Sequence, residues 1–231
     1  KIPMPWFWSK VQTRVSSRNS KLQEVLCYPK KSFSSLIKNL ESQIRGNGGE
    51  IFFNHKVTKI ITNLNEVKSV NVIDNNSIER NIKFDIVIST APYEVLNKII
   101  NLNSSLKKSM KKVDYMSAIV MILVLKNQLT DYYWLSIADN KFPFLGLIEH
   151  TNLIPKKYYD NKNILYITNY VENDNKLMSL NYDELLDLYS PYIQKINKDF
   201  SKNWIINYRF NKIGFAQPIF PTNYSSYKIP L

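Results

Sequence analysis

Residues 117–125 read Ser-Ala-Ile-Val-Met-Ile-Leu-Val-Leu, closed by Lys126, and form the longest apolar stretch of the chain. A bilayer span takes about 20 such residues, so this run crosses no membrane. Its length and its Ile, Val and Leu content fit the central strand of a sheet. At 231 residues and 44% hydrophobic content the chain can build one large domain or two small ones. Collagen-like and wholly disordered classes are excluded. The single cysteine, Cys27, rules out an intramolecular disulfide and any multi-cysteine metal site. No charged–apolar–small pattern marks a signal peptide at the start, so the expected compartment is the cytoplasm.

The formal charge is +12, from 31 Lys+Arg against 19 Asp+Glu. It is built almost wholly of lysine: 26 Lys and 5 Arg, beside 27 Asn and 27 Ile. These three abundant residues have A/T-rich codons, so a biased genome accounts for the charge without a polyanionic partner. The densest basic run, Lys107, Lys108, Lys111 and Lys112, fits one solvated helical face. Nucleic-acid modules gather Arg and Lys on one stripe, and no nucleic-acid partner is expected here.

Near the start, Trp8, Val11 and Val15 stand at helical spacing with Lys10, Arg14 and Arg18 between them. The first expectation is an amphipathic helix packed on the core. The second is peripheral membrane contact through segment 6–18, Trp6 to Arg18, with tryptophan at headgroup depth. Residues 32–45 place Phe33, Leu36, Ile37, Leu40 and Ile44 on one helical face, stopped by Gly46-Asn47-Gly48-Gly49. Short strands are predicted at 50–53 and 57–62, a hairpin at 67–83, a buried strand at 84–88 and a helix at 93–100. Strands at 117–126, 132–138, 144–149, 163–170 and 204–210 follow. A helix at 182–190 is expected to end or kink at Pro191. This order reads as α+β with mostly antiparallel sheet. Both ends of the sequence read as interior, so the chain is expected to be an internal fragment.

The residues alone complete no active site. His55 and His150 lie in no cluster at metal-ligand spacing, so no metal site is expected. Glu149 and His150 are neighbours on a strand end, where side chains point to opposite faces. No nucleophile elbow, phosphate loop or G-x-G-x-x-G is present.

Five pieces occur in a telling order: Tyr28-Pro29-Lys30-Lys31-Ser32-Phe33, a helix, Gly48-Gly49-Glu50-Ile51, Val57-Thr58-Lys59-Ile60, a hairpin, and Phe84-Asp85-Ile86-Val87-Ile88-Ser89-Thr90-Ala91-Pro92. Together they resemble the middle of the flavin-containing amine oxidase superfamily, which includes protoporphyrinogen oxidase-like, phytoene desaturase-like and UDP-galactopyranose mutase-like proteins. More loosely, Glu149-His150-Thr151-Asn152, Asn169-Tyr170 and Ala216-Gln217-Pro218 resemble the substrate-side half of bacterial members. Two departures stand out. Lys31-Ser32 occupies the place of the usual double glycine, and the N-terminal Rossmann motif and C-terminal flavin segment are missing.

The resemblance implies a substrate-domain sheet, mixed and mostly antiparallel, joined to part of an FAD-binding, Rossmann-like domain. It implies domain parts at 1–27 (substrate), 28–92 (FAD) and 93–231 (substrate). Val57 would meet the adenine end of FAD through its main chain, and Thr90, Ala91 and Pro92 would stand near the cofactor. His150 and Tyr170 would line the substrate cavity, with Glu149 a further candidate and no catalytic base assigned. The implied function is that of a fragment of an FAD-dependent oxidoreductase moving a hydride from a small molecule's C–H or C–N bond to flavin. FAD itself would be held by the full-length parent. The alternatives are a sugar-nucleotide mutase-like flavoenzyme and a basic membrane-peripheral module.

Overall fold

The computed structural model describes residues 3–19, 23, 27–29, 32–63, 66–110 and 113–223. The chain divides into two compact units, Lys1–Lys112 with Phe220–Leu231, and Val113–Ile219.

The first unit opens with α1 (Met4–Ser16) and α2 (Ser32–Gly46). Neither buries a residue, so the packed amphipathic helix expected near Trp8 forms as a helix without a packed face. Helix α2 stops as the glycines require. Asn47 N–H donates to the Gln43 carbonyl at 3.0 Å and Gly49 N–H to Ile44 at 2.8 Å, with Gly48 left-handed at φ +81°. A Cβ at Gly49 would lie 2.7 Å from Ile44 Cγ2, so that position has no room for a side chain.

Next comes an antiparallel sheet in the order β1 (Lys56–Asn63), β2 (Glu66–Ile73), β3 (Glu79–Lys83). Its second turn is held by the Asp74 carboxylate, which accepts from Asn76 N–H at 2.9 Å and Ile78 N–H at 3.0 Å. Ile60, Val70 and Val72 are buried, with Leu96 and Ile99 of α3 (Tyr93–Ile99) packed on them. The boundary read at Pro92 therefore falls inside this unit. A short α4 (Ser104–Met110) follows; Lys111 and Lys112 of the basic run lie outside the described residues.

Neither of two expected strands forms: residues 50–52 are irregular and lead into a turn at 53–54, and 84–88 are not a strand, Phe84, Ile86 and Ile88 being 45%, 79% and 87% exposed. A strand needs a neighbour to take its N–H and C=O groups, and none among the described residues runs beside 84–88.

The second unit is a five-stranded sheet in the order β5-β6-β7-β4-β8, antiparallel throughout. The strands are β4 (Tyr115–Leu125), β5 (Trp134–Ser136), β6 (Gly146–Glu149), β7 (Asn163–Glu172) and β8 (Ile205–Pro218). The apolar run is indeed central: β4 pairs with β7 on one side and β8 on the other, Met121 facing both Ile167 and Phe210. One sheet face, with Ile119, Met121, Leu123, Leu165 and Ile167, packs under Leu185, Tyr189 and Ile193 of α5 (Tyr182–Ile196). The fold class is α+β with antiparallel sheets, as expected.

Helix α5 runs through Pro191 instead of ending there. Pro191 is exposed, so the carbonyl that loses its partner, that of Asp187 one turn back, also stands on the solvent side. Its start is fixed by a capping box: Asn181 Oδ1 accepts from Glu184 N–H at 3.0 Å, and Glu184 Oε2 from Asn181 N–H at 2.7 Å. Replacing Asn181 by Ala is expected to cost about 1 kcal/mol. Thermal unfolding would show this as a fall of about 2–4 °C.

Candidate functional site

In the first unit the site starts from an unpaired edge. Among the described residues strand β1 has β2 on one side only, so its outer row of main-chain N–H and C=O groups lies outside the ladder. The pairing is irregular between Val57 and Lys59, where Thr58 Oγ1 donates to the Asn71 carbonyl at 3.3 Å. Val57, 38% exposed, sits at this irregularity and borders two clefts.

One cleft, of about 640 Å³, is lined by Val57, Thr90 and Ala91 over a floor that includes Ile60, Val87 and Ile99. The other, of about 720 Å³, runs past Gly48, His55, Phe84 and Ile86. His55 Nδ1 lies 2.8 Å from the Phe53 carbonyl, which orients its ring. Pro92 is the residue before α3, its carbonyl accepting from Val95 and Leu96 N–H at 3.0 Å each. Val57, Thr90 and Ala91 thus share one wall although they lie far apart in sequence. Val87 and Lys98 also border that cleft and were not foreseen; alternation in 84–88 would group Val87 with Asp85 and away from the more apolar Phe84, Ile86 and Ile88.

A flat heterocycle with hydrogen-bonding edges fits such a place, where apolar walls meet a bare strand edge. A pyrophosphate does not. It wants a glycine-rich turn opening a helix, and the glycines 46, 48 and 49 close one. Among the described residues no group of His, Cys, Asp and Glu could hold a metal ion. No helix among them is long and apolar enough to cross a membrane.

In the second unit His150 begins a turn just after β6. Its Nε2 lies 2.6 Å from the Tyr159 hydroxyl, and its ring packs edge-on against Tyr159 and Tyr166. Burial holds the imidazole below its usual pKa, favouring the neutral ring. Tyr166 and Tyr170 alternate on β7 toward the sheet face away from α5, and Tyr170 is 44% exposed. His150 and Tyr170 therefore belong to one face. At 3.4 Å per residue, Tyr170 stands about 14 Å along β7 from the tyrosine that His150 touches. Tyr159 was missed, since nothing in the 156–159 turn marks it.

Glu149 goes the other way. It is fully buried; Oε2 accepts from Leu129 N–H at 3.2 Å, and Oε1 has no partner. Burial raises its pKa from 4.5 to about 7, against the Leu129 and Thr130 main-chain bonds and the Lys156 charge. This carboxyl anchors the 129–130 loop and does not pair with His150.

The sequence profile described as flavin containing amine oxidoreductase matches residues 11–223. The chain belongs to that family. No curated protein matches it in sequence. Among solved structures, an oxidoreductase from Methanosarcina mazei is 17% identical, with a TM-score of 0.59 over 78% of this chain and 42% of its own. A protein of Exiguobacterium sp. 255-15 assigned as a protoporphyrinogen oxidase is 12% identical, TM-score 0.63, over 95% of this chain and 48% of its own. A reduced UDP-galactopyranose mutase is 15% identical, TM-score 0.62, over 82% and 41%. At these identities the likeness is one of fold. This chain spans less than half the length of each of these structures.

Proposed function

We propose that this chain acts as part of an FAD-dependent oxidoreductase. It would contribute the adenine end of the cofactor site and one wall of the substrate cavity. The observation that carries the reading is the shared cleft of Val57, Thr90 and Ala91 on the bare edge of β1, inside the region the family profile matches. The main chain at Val57 would take the hydrogen-bonding edge of adenine, while Thr90, Ala91 and Pro92 hold the approach to the cofactor. Residues 28–92 then count with the FAD domain, and 1–27 with 93–231 as substrate domain.

When bound, flavin supplies the acceptor for a hydride leaving a substrate C–H or C–N bond. The chain's own part is to position that bond and exclude water. The β4–β7 face with Val120, Ile122, Tyr166 and Tyr170 suits an apolar wall, with His150 as a neutral hydrogen-bonding group at its end. A small molecule is the proposed substrate.

The mutase-like fold neighbour favours a second reading, a non-redox sugar-nucleotide flavoenzyme. Such chemistry needs paired arginines for a pyrophosphate. Arg209, opposite Ile122, is the only arginine between residues 113 and 219, and the other two of the proposed substrate parts, Arg14 and Arg18, belong to the first unit, so the redox reading leads.

Flavin fluorescence of the purified 231-residue chain and of the full gene product tests both. The full product is expected to retain FAD, and the chain alone to hold it weakly, since among the described residues no glycine-rich turn opens a helix for the pyrophosphate. Anaerobic bleaching of the retained flavin by substrate supports the oxidoreductase. Retained flavin that no candidate donor bleaches supports the mutase, and a full product without flavin ends both readings.

A further inference from the structure

We propose that α1 is a docking helix for an anionic lipid surface, a role independent of the flavin reading. Met4, Phe7, Trp8, Val11 and Val15 follow one another at helical spacing and make one apolar stripe. All five are exposed, from 36% at Val11 to 71% at Met4, and no residue of α1 is buried. Helices of globular domains turn such a stripe inward. This one turns it outward, and the half-buried member of its aromatic trio, Trp6, lies on the other side.

The charge beside the stripe names the occupant. Residues 1–23 contain Lys1, Lys10, Arg14, Arg18 and Lys21 and no Asp or Glu. Lys10 Nζ lies 5.6 Å from the Trp6 ring centre, on the side of α1 away from the stripe, so the helix carries its apolar and basic residues on different faces. Tryptophan at headgroup depth with basic residues alongside is the composition of an interfacial helix. The first turns of α1 also precede residue 11, where the family match begins.

Flotation of the 231-residue chain with phosphatidylcholine vesicles, with and without about one third phosphatidylserine, tests the proposal. Wild type is expected to float with the anionic vesicles, to be released by salt, and to leave the neutral ones. Lys10→Glu is expected to weaken binding at least about fivefold. Trp8→Glu is expected to weaken it at least about tenfold by removing a large apolar contact. Since α1 buries nothing, these variants keep the fold, and circular dichroism verifies it. No affinity for anionic vesicles, or binding that Trp8→Glu leaves unchanged, overturns the proposal. So does a lipid-free dimer, seen by light scattering, that Trp8→Glu dissolves, because a second copy is then the occupant.

Discussion

Replacing Glu149 by Gln stabilises the chain at pH 8 and leaves it nearly unchanged at pH 4.5. The Glu149 carboxyl titrates at about 7 in the folded protein against 4.5 ordinarily. Between those values the folded state holds a proton that the unfolded state has released, so stability falls as pH rises through this window. The contribution lost is on the order of 3 kcal/mol, at 1.36 kcal/mol per pKa unit. Glutamine keeps an acceptor for Leu129 N–H and has no charge to bury. His150 acts with the opposite sign: its lowered pKa means that stability is lost as pH falls below about 6.5, where the unfolded imidazole charges. Urea midpoints across pH 4.5–8 therefore need the difference between wild type and Glu149→Gln, in which the His150 contribution cancels. A difference that stays flat would mean that Glu149 is already ionised and solvated in the folded state.

Phe144→Ala is expected to cost about 3–5 kcal/mol. Phe144 is 1% exposed and meets Tyr189 of α5 at 5.1 Å and Phe142 at 5.6 Å between ring centres, both nearly edge-on. Its removal leaves a hole between the sheet and α5 that the rigid strands cannot close. Trp134 and Trp204 report on the same unit by fluorescence, Trp204 being set edge-on to Phe200 at 5.8 Å. The companion substitution Leu36→Ala, on the exposed face of α2, is expected to stay within about 0.5 kcal/mol in the same urea titration. A cost near that of Leu36→Ala for Phe144→Ala would mean that the aromatic cluster does not close the core.

These contrasts mirror what could be read in the residues. Wherever an element's partners lie within the same unit, its pattern was enough: β4, β7, the hairpin of β2 and β3, and the glycine stop of α2 stand where their sequences put them. Pattern failed where it speaks only of potential. The 84–88 run has the composition of a buried strand, but burial and pairing depend on a neighbour. The stripe on α1 has core-facing spacing, but spacing does not say what it faces. At Pro191 an end or a kink was expected, with 192–196 as a further turn, because the sequence does not show that the proline lies on the solvent side.

The site divides in the same way. Val57, Thr90 and Ala91 came from a resemblance in motif order, and their common wall is a product of folding that no spacing displays. The His150–Tyr159 contact depends on a turn without periodicity. Glu149 was legible in part, since alternation along β6 separates it from His150; its unpartnered oxygen was not, because its burial depends on the core packed over that sheet face and on the 129–130 loop arriving from elsewhere.

The position of β4 between β7 and β8 has a consequence for how the chain is made. Its partners lie well downstream, with Val120 pairing with Thr168 on one side and Asn211 on the other. During synthesis the most apolar strand emerges first and waits, with one edge open until β7 is complete and the other until β8 is. Contacts between residues so far apart close slowly, and an exposed β-prone segment in that interval is a site for wrong pairing. In a cell this makes β4 the segment that a holding chaperone would grip on the nascent chain. It also makes β8 the element whose arrival releases it.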